Sequence, residues 1–376
     1  MTRVVFAPDS FKGTLTAPEA ARALAAGWRQ IEPELEAVLM PMADGGEGTV
    51  GAFAEAIPQA RRLAVELLPP APGMERVSTA WLWLPPQAGL PGGTGVIDVA
   101  STAGIELFRG KLRPWEASSY GFGTAIAAAL DHGVSRLVLG IGSSASTDGG
   151  AGVLAALGAR INGDPRGGAR NLAGIAGVDL ASLRPLPEGG VAVLTDVTNP
   201  LLGERGAAAV FGPQKGFVSS EIDDVDSALR SFAALIPTDP AIPGTGAAGG
   251  IGFALAAWGA HLTPGADAVA DLIGLGPAVD TATWVVTGEG AYDAQTAAGK
   301  VPALVSSKAP GRCLLVAGRI DRGADTSRFA AVRSLSDLAS STDDALRRPA
   351  HWLVRAGREL ALTVRAARGG GADIPI

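Results

Sequence analysis

The chain has 376 residues, 47% hydrophobic and 18% charged, which is enough apolar material for two ordinary domains or one large one and excludes a disordered composition. Its 31 Lys and Arg against 37 Asp and Glu give a net charge of −6, which argues against a general nucleic-acid-binding face. Cys313 is the single cysteine, so an internal disulfide and a cysteine zinc cluster are both excluded. His132, His261 and His351 lie far apart and have no metal-ligand spacing.

Residues 3–8 (RVVFAP) read as a buried strand, a short β-branched apolar run. Pro8 and Asp9 end that run too early for a secretory leader, and no window reaches the ~18 apolar residues of a membrane span. A cytoplasmic protein without a membrane partner is expected. Thr16-Ala17-Pro18-Glu19 is a capping box with an early proline, and Ala20, Leu24 and Trp28 mark the apolar face of the helix it opens. Residues 36–42 read as a second strand and 48–57 as a short helix. Strands are expected over 61–68, 76–84, 95–100, 136–142 and 191–196, and helices over 117–131, 150–159 and 247–260. The glycine- and proline-rich stretch 160–190 reads as loop. After residue 280 the opening pattern returns. Strands are expected at 284–288, 313–318 and 330–335, with helices near 301–307 and 345–366. Alternating strands and helices favour parallel sheets. The reading is an α/β protein with a discontinuous domain, 1–60 plus 280–376, and a second domain, 61–279, inserted in it.

Ligands in such sheets bind beyond the carboxyl ends of strands, so the polar loops there are the candidates for chemistry. Asp9-Ser10-Phe11-Lys12-Gly13 places a carboxylate, a hydroxyl and an ammonium between a strand and a helix, and also reads as a capped turn. Asp44-Gly45-Gly46-Glu47 sets two carboxylates beside a glycine pair that lets the backbone approach a ligand. Mg²⁺ needs only one or two such carboxylates besides phosphate and water. Positions 142–150, GSSASTDGG, offer backbone amides and hydroxyls at a helix start, a candidate anion cradle without the Walker lysine. Thr195 to Pro200 and Gly288 to Lys300 complete the set. Gly244 to Gly250 reads as a glycine-rich helix entry packed on a neighbour. Cys313 and the tryptophans at 81, 83, 258 and 284 read as structural.

In order along the chain, Ala7-Pro8-Asp9-Ser10-Phe11-Lys12-Gly13, Pro41 to Thr49, Asp196-Val197-Thr198-Asn199-Pro200-Leu201, Phe211-Gly212-Pro213-Gln214-Lys215-Gly216 and Gly288-Glu289-Gly290 resemble the bacterial glycerate kinase family. The resemblance implies ATP- and Mg²⁺-dependent phosphorylation of D-glycerate, generally to 2-phosphoglycerate. It also implies a flavodoxin-like parallel-sheet domain built from both chain ends, with a second α/β domain inserted and the active-site cleft between them. ATP and glycerate are then the partners, and no nucleic acid is expected. Two departures from the family pattern stand out. Ser143 and Thr147 replace a glycine and an asparagine, and Ala291-Tyr292-Asp293 stands where the family tends to carry Arg-Leu-Asp.

Phosphoryl transfer needs charge neutralisation, in-line positioning and an acceptor for the alcohol proton. Asp196 is assigned as the base, with Asp44 the runner-up and Asp9 and Lys12 as catalytic companions. Asp44, Glu47 and Asp293 are the Mg²⁺ candidates. Ser10, Gly45, Gly46, Ser143, Ser144, Ser146, Asp148, Asn199, Lys215, Glu289 and Lys300 are the expected substrate and nucleotide contacts. A 3-phosphoglycerate product, a kinase for another small hydroxy acid and a catalytically silent binding protein of the same fold are the rival readings.

Overall fold

The computed structural model describes residues 2–293, 301–339 and 341–370. In chain order the strands begin with β1 (Arg3–Pro8), β2 (Glu36–Leu39), β3 (Arg61–Leu67), β4 (Val77–Leu84), β5 (Thr94–Asp98) and β6 (Arg136–Gly140). Then come β7 (Arg160–Asn162), β8 (Gly177–Asp179), β9 (Val191–Leu194), β10 (His261–Thr263), β11 (Trp284–Tyr292), β12 (Cys313–Ile320) and β13 (Ala331–Ser334). The chain gathers into two compact units. Met1–Asp44, Gly51–Pro58 and Ala266–Ile376 form the first, and Gly45–Val50 with Gln59–Gly265 the second.

The first unit holds a five-stranded sheet in the order β13-β12-β11-β1-β2, with every neighbouring pair parallel. Counted by appearance within this sheet the order is 2-1-3-4-5, the flavodoxin-like form of the doubly wound fold. Val4, Val5, Phe6 and Ala7 are all fully buried, because β1 is central and covered on both faces. The edge strand β2 is half-exposed, and its ladder outlasts its regular length: the amides of Met40 and Met42 donate to the carbonyls of Phe6 and Pro8, each at 2.8 Å. Thr16 and Glu19 form the expected capping box on the helix Ala17–Arg29. That helix lies against the terminal helix Pro349–Gly370. A Cβ on Gly27 would sit 1.8 Å from the Val354 carbonyl oxygen, and one on Gly357 2.2 Å from that of Leu24, so the backbones meet where neither has a side chain. Leu24, Trp28, Phe6, Leu353 and Leu360 fill the adjoining core. The single C-terminal helix expected over 345–366 is two, Thr342–Arg347 and Pro349–Gly370. Pro349 disfavours the helical conformation at Arg348 and starts a new helix instead.

The second unit has a six-stranded sheet, β10-β9-β6-β5-β4-β3, in which β5, β6, β9 and β10 run parallel, β4 pairs antiparallel with β5, and β3 pairs antiparallel with β4. The four parallel strands therefore bring their carboxyl ends to one edge. Trp81, Ile97, Phe122, Leu139, Val193 and Ile251 belong to one continuous core, and Trp258 closes it, donating from its indole nitrogen to the Arg184 carbonyl at 2.7 Å. The stretch 160–190 is not all loop, since it holds the small antiparallel pair β7–β8 and a 3-10 turn over Gly168–Gly174. The helices Ala207–Lys215 and Ile222–Ala233 occupy a region the periodicity reading left unassigned. Gly45–Val50 belongs to this unit because Gly45 lies on the sheet edge. The Gly142 amide donates to the Gly45 carbonyl at 3.0 Å.

Candidate active site

In the second unit β6 ends at Gly140 and the chain enters the seryl loop. Asp148 anchors that loop from beneath. It is fully buried, and its Oδ2 accepts from both the amide and the hydroxyl of Ser119, each at 2.8 Å, while Oδ1 accepts from the Gly150 amide at 3.1 Å. Burial pushes the Asp148 carboxyl up, and the donors from Ser119 and Gly150 oppose that rise. The Ser119 hydroxyl also accepts from the Val153 amide at 3.1 Å, capping the helix Ala151–Ala156 rather than its own. Two left-handed glycines, Gly149 and Gly150, turn the chain into that helix. They meet a second glycine pair from the entry to Ile251–Trp258, for a Cβ on Gly250 would lie 2.5 Å from the Gly149 Cα. The run from 244 to 250 is thus the packed helix entry expected of it.

Lys215 reaches the same loop from the end of the helix Ala207–Lys215. Its ammonium is buried and donates to Ser144 Oγ at 2.9 Å and to the Ser146 carbonyl at 2.5 Å. Desolvation pulls this lysine down to about 7, although Asp148 pulls the other way. A cavity of about 350 Å³ opens beside it, and Ser143, Ser144, Thr195, Val197, Gln214 and Lys215 are among the residues that line it. Ser143 stands on the rim with φ of 60°, in the left-handed region that favours glycine.

Asp196 follows β9, and its Oδ1 accepts from the Gly265 amide at 2.8 Å. That bond ties the loop after β9 to the chain leaving β10. The Asn199 side-chain amide donates to the Arg205 carbonyl at 2.7 Å, and the Asn199 backbone carbonyl accepts from the amides of Gly244 and Gly246. Gly45 and Gly46 approach protein rather than open space. A Cβ on Gly45 would lie 2.5 Å from the Leu194 carbonyl oxygen, and one on Gly142 2.5 Å from the Gly46 Cα.

In the first unit the strand order reverses between β1 and β11, the place where doubly wound sheets bind ligands. Asp9, Ser10 and Glu289 stand there. The Asp9 amide donates to the Gly288 carbonyl at 2.8 Å, and the Asp9 carboxylate accepts from the Ser10 amide at 2.6 Å. Phe11 and Leu15 exchange backbone bonds and close the loop, leaving Lys12 exposed at its tip. Glu289 is buried between Gly288 and Gly290, and Asp44 lies half-buried two residues past the last rung of the β2 ladder.

Asp9, Ser10 and Glu289 thus gather at one switch point, and Ser143, Ser144 and Lys215 at one cavity. Asp148 and Ser146 are buried supports of the loop, and Asn199 is a turn residue. Among the described residues no three His, Cys, Asp or Glu side chains group as a metal site. Glu47 is itself exposed. Lys300 lies outside the described residues. Sequence reasoning missed Ser119, while Thr195 and Gln214 lie inside the loop and motif singled out in the sequence but carried no assigned contact. Ser119 had a usable signal, as a serine pair, Ser118-Ser119, just ahead of an alanine-rich helix.

A flavodoxin-like sheet built from both chain ends, with a mixed six-stranded sheet between them in sequence and polar loops at their strand ends, is the architecture of an α/β enzyme. The model of the glycerate kinase family matches residues 4–365, and the chain belongs to that family. It is 37% identical to the glycerate kinase of Halalkalibacterium halodurans, over 96% of this chain and 98% of that protein. It is equally 37% identical to the glycerate 2-kinase of Escherichia coli, again over 96% of this chain and 98% of the other. The crystal structure of a putative glycerate kinase 2 from Salmonella typhimurium superposes with a TM-score of 0.80 at 34% identity, covering 98% of this chain and 99% of that one. Among the described residues no helix is long and apolar enough to cross a membrane.

Proposed function

We propose that this chain transfers the terminal phosphoryl group of ATP to the 2-hydroxyl of D-glycerate, giving 2-phosphoglycerate and ADP with the help of Mg²⁺. Membership of the glycerate kinase family supports the kinase reading, and the name of the E. coli relative, a glycerate 2-kinase, supports the site of transfer. The observation that carries most weight is the buried Lys215 on the seryl loop, lining a cavity beyond the ends of β6 and β9. A dry ammonium with hydroxyls beside it suits the oxygens of a phosphoryl group or a carboxylate, where low dielectric strengthens the attraction.

Lys215, Ser144 and Ser143 hold reactant anion in this scheme. Asp196 accepts the proton of the attacking alcohol, held in place through Gly265. Asp9, Ser10, Lys12 and Glu289 bind reactants at the β1–β11 switch point, with Lys12 supplying the positive charge. Mg²⁺ supplies charge neutralisation on the phosphates when bound. Asp44 and Asp293 offer it the hard carboxylate oxygens it prefers. The lack of a three-carboxylate cluster among the described residues agrees with an ion that keeps water and phosphate as its other ligands. Asp148 and Ser119 touch no reactant and position the loop.

Ala291 motivates a second reading, a kinase for another small hydroxy acid. A coupled assay of ADP release with ATP, Mg²⁺ and a panel of D-glycerate, L-glycerate, glycolate, lactate and tartronate separates the two. Release that depends on D-glycerate supports the first. Release with another acid and none with glycerate supports the second. Hydride transfer to or from a nicotinamide nucleotide without ADP would overturn both.

A further inference from the structure

Lys215 is 3% exposed, and its two hydrogen bonds go to neutral partners, the Ser144 hydroxyl and the Ser146 carbonyl. A neutral amine has two N–H groups, and these two acceptors satisfy both. Protonation adds a third N–H, and with it a charge, in a place where water is scarce. The cavity of about 350 Å³ that Lys215 lines is where an acceptor for that third N–H would enter.

Of the charged groups on the elements packed around it, including Asp223, Asp224, Asp226 and Arg230 of the helix Ile222–Ala233, only Asp148 acts on Lys215. The helix that carries Lys215 has no second titratable residue from Ala207 to Gln214, and neither the 142–147 stretch nor the 244–250 loop packed against it has one. Asp148 acts on Lys215 through space, but its carboxylate is already engaged by Ser119 and Gly150. Asp196, next to the cavity residues Thr195 and Val197, is engaged by Gly265.

We propose that this cavity is a proton-coupled anion site, in which Lys215 takes up a proton as a carboxylate or phosphoryl oxygen of a reactant enters, so that binding and charging are one event. The identity of the anion rests on the kinase reading above; the coupling rests on the geometry of Lys215. Burial holds the free lysine at about 7. An anion beside it favours the charged form and raises that value. The free lysine is then mostly neutral at pH 8 and mostly charged at pH 6, so binding takes up more proton at pH 8 than at pH 6. Affinity for the anion falls about tenfold for each pH unit above 7, until the raised value is reached.

The test is isothermal titration of the full chain in pairs of buffers that differ in ionisation enthalpy, at pH 6 and pH 8. One arm uses D-glycerate and the other ADP with Mg²⁺; both ligands are fully ionised at pH 8. More proton uptake at pH 8 than at pH 6 is expected in one arm, and that arm tells whether the carboxylate or the phosphate is the occupant. Lys215→Met should abolish the uptake. Should that variant fail to fold, Ser144→Ala removes one acceptor and should move the midpoint of the uptake to lower pH. Binding of both ligands with no more proton uptake at pH 8 than at pH 6, in a chain that still turns over, overturns the coupling and leaves the kinase reading standing. Uptake that persists in Lys215→Met, or a midpoint unmoved in Ser144→Ala, also overturns it. Absence of both binding and turnover overturns the coupling and the kinase reading together.

Discussion

The amide of Asp9 donates to the carbonyl of Gly288 at 2.8 Å, so a loop near the start of the chain is fastened to a strand near its end. The bond extends the β1–β11 ladder by one rung past Pro8 and fixes where the Asp9 carboxylate stands. Gly288 makes this geometry available, since a Cβ there would lie 2.1 Å from the Val316 carbonyl oxygen on β12. Gly288→Ala must push two central strands apart, at a cost of about 2 kcal/mol or more. A urea melt should show a clear fall in the midpoint. Gly290→Ala, whose nearest contact is the Lys12 amide nitrogen at 3.3 Å, should lose much less. Equal effects from the two would show that the strand contact is not what selects glycine at 288.

Ser143 holds φ of 60° on the cavity rim, a conformation that costs a non-glycine residue roughly 1 kcal/mol. Ser143→Gly should therefore raise stability by up to about that amount, part of it offset by the greater freedom of glycine in the unfolded chain. Thermal melts of the two proteins at one pH and salt concentration check it. A fall in melting temperature would mean that the serine hydroxyl contributes more than the backbone loses.

Asp148→Asn tests the anchor under the loop. The carboxylate accepts from the Ser119 amide and hydroxyl on one oxygen and from the Gly150 amide on the other. An asparagine must turn its NH₂ toward one of those donors, leaving buried N–H groups unmatched. The expected loss is about 2–3 kcal/mol, with lower ligand affinity because the seryl loop loses its support. A variant as stable as the parent would contradict the anchoring role.

Asp196 and Asp44 are assigned different work, and their amides should fail differently. Asp196→Asn keeps an oxygen for the Gly265 amide but loses the proton acceptor, so kcat should fall ~10²–10⁴-fold with the melting curve little changed. KM should move far less than kcat. Asp44→Asn should weaken the response to Mg²⁺, and added metal should restore part of its rate. Rescue of Asp196→Asn by metal, with none for Asp44→Asn, would exchange the roles.

Much of this architecture was legible in the sequence, because central parallel strands are buried on both faces and read as unbroken apolar runs. Val4 to Ala7 and Cys313 to Ala317 are such runs. The capping box at Thr16 and Glu19 is local and needed no tertiary knowledge. Ile222–Ala233 was legible and went unread: Val225, Leu229 and Phe232 repeat at helical spacing and are all buried. Ala207–Lys215 gave no such signal, since Gly212 and Pro213 inside it look like a turn. The glycine pair at 45 and 46 was legible as a place of close backbone approach but not as the partner it approaches, since a Cβ on Gly45 would lie 2.5 Å from the Leu194 carbonyl oxygen. Nor does any spacing say that Lys215 goes inside or that Ser119 will meet Asp148, since both follow from how the strands bring distant loops together.

The most direct test of the account is a ³¹P spectrum of the phosphorylated product formed from D-glycerate, ATP and Mg²⁺, read with proton coupling. A phosphate on the 2-oxygen sits beside one C–H and gives a doublet; on the 3-oxygen it sits beside a CH₂ and gives a triplet. The account predicts a doublet that grows in step with ADP and is absent without glycerate. A triplet would contradict the assigned position of transfer, and no new phosphate ester at all would contradict the kinase itself.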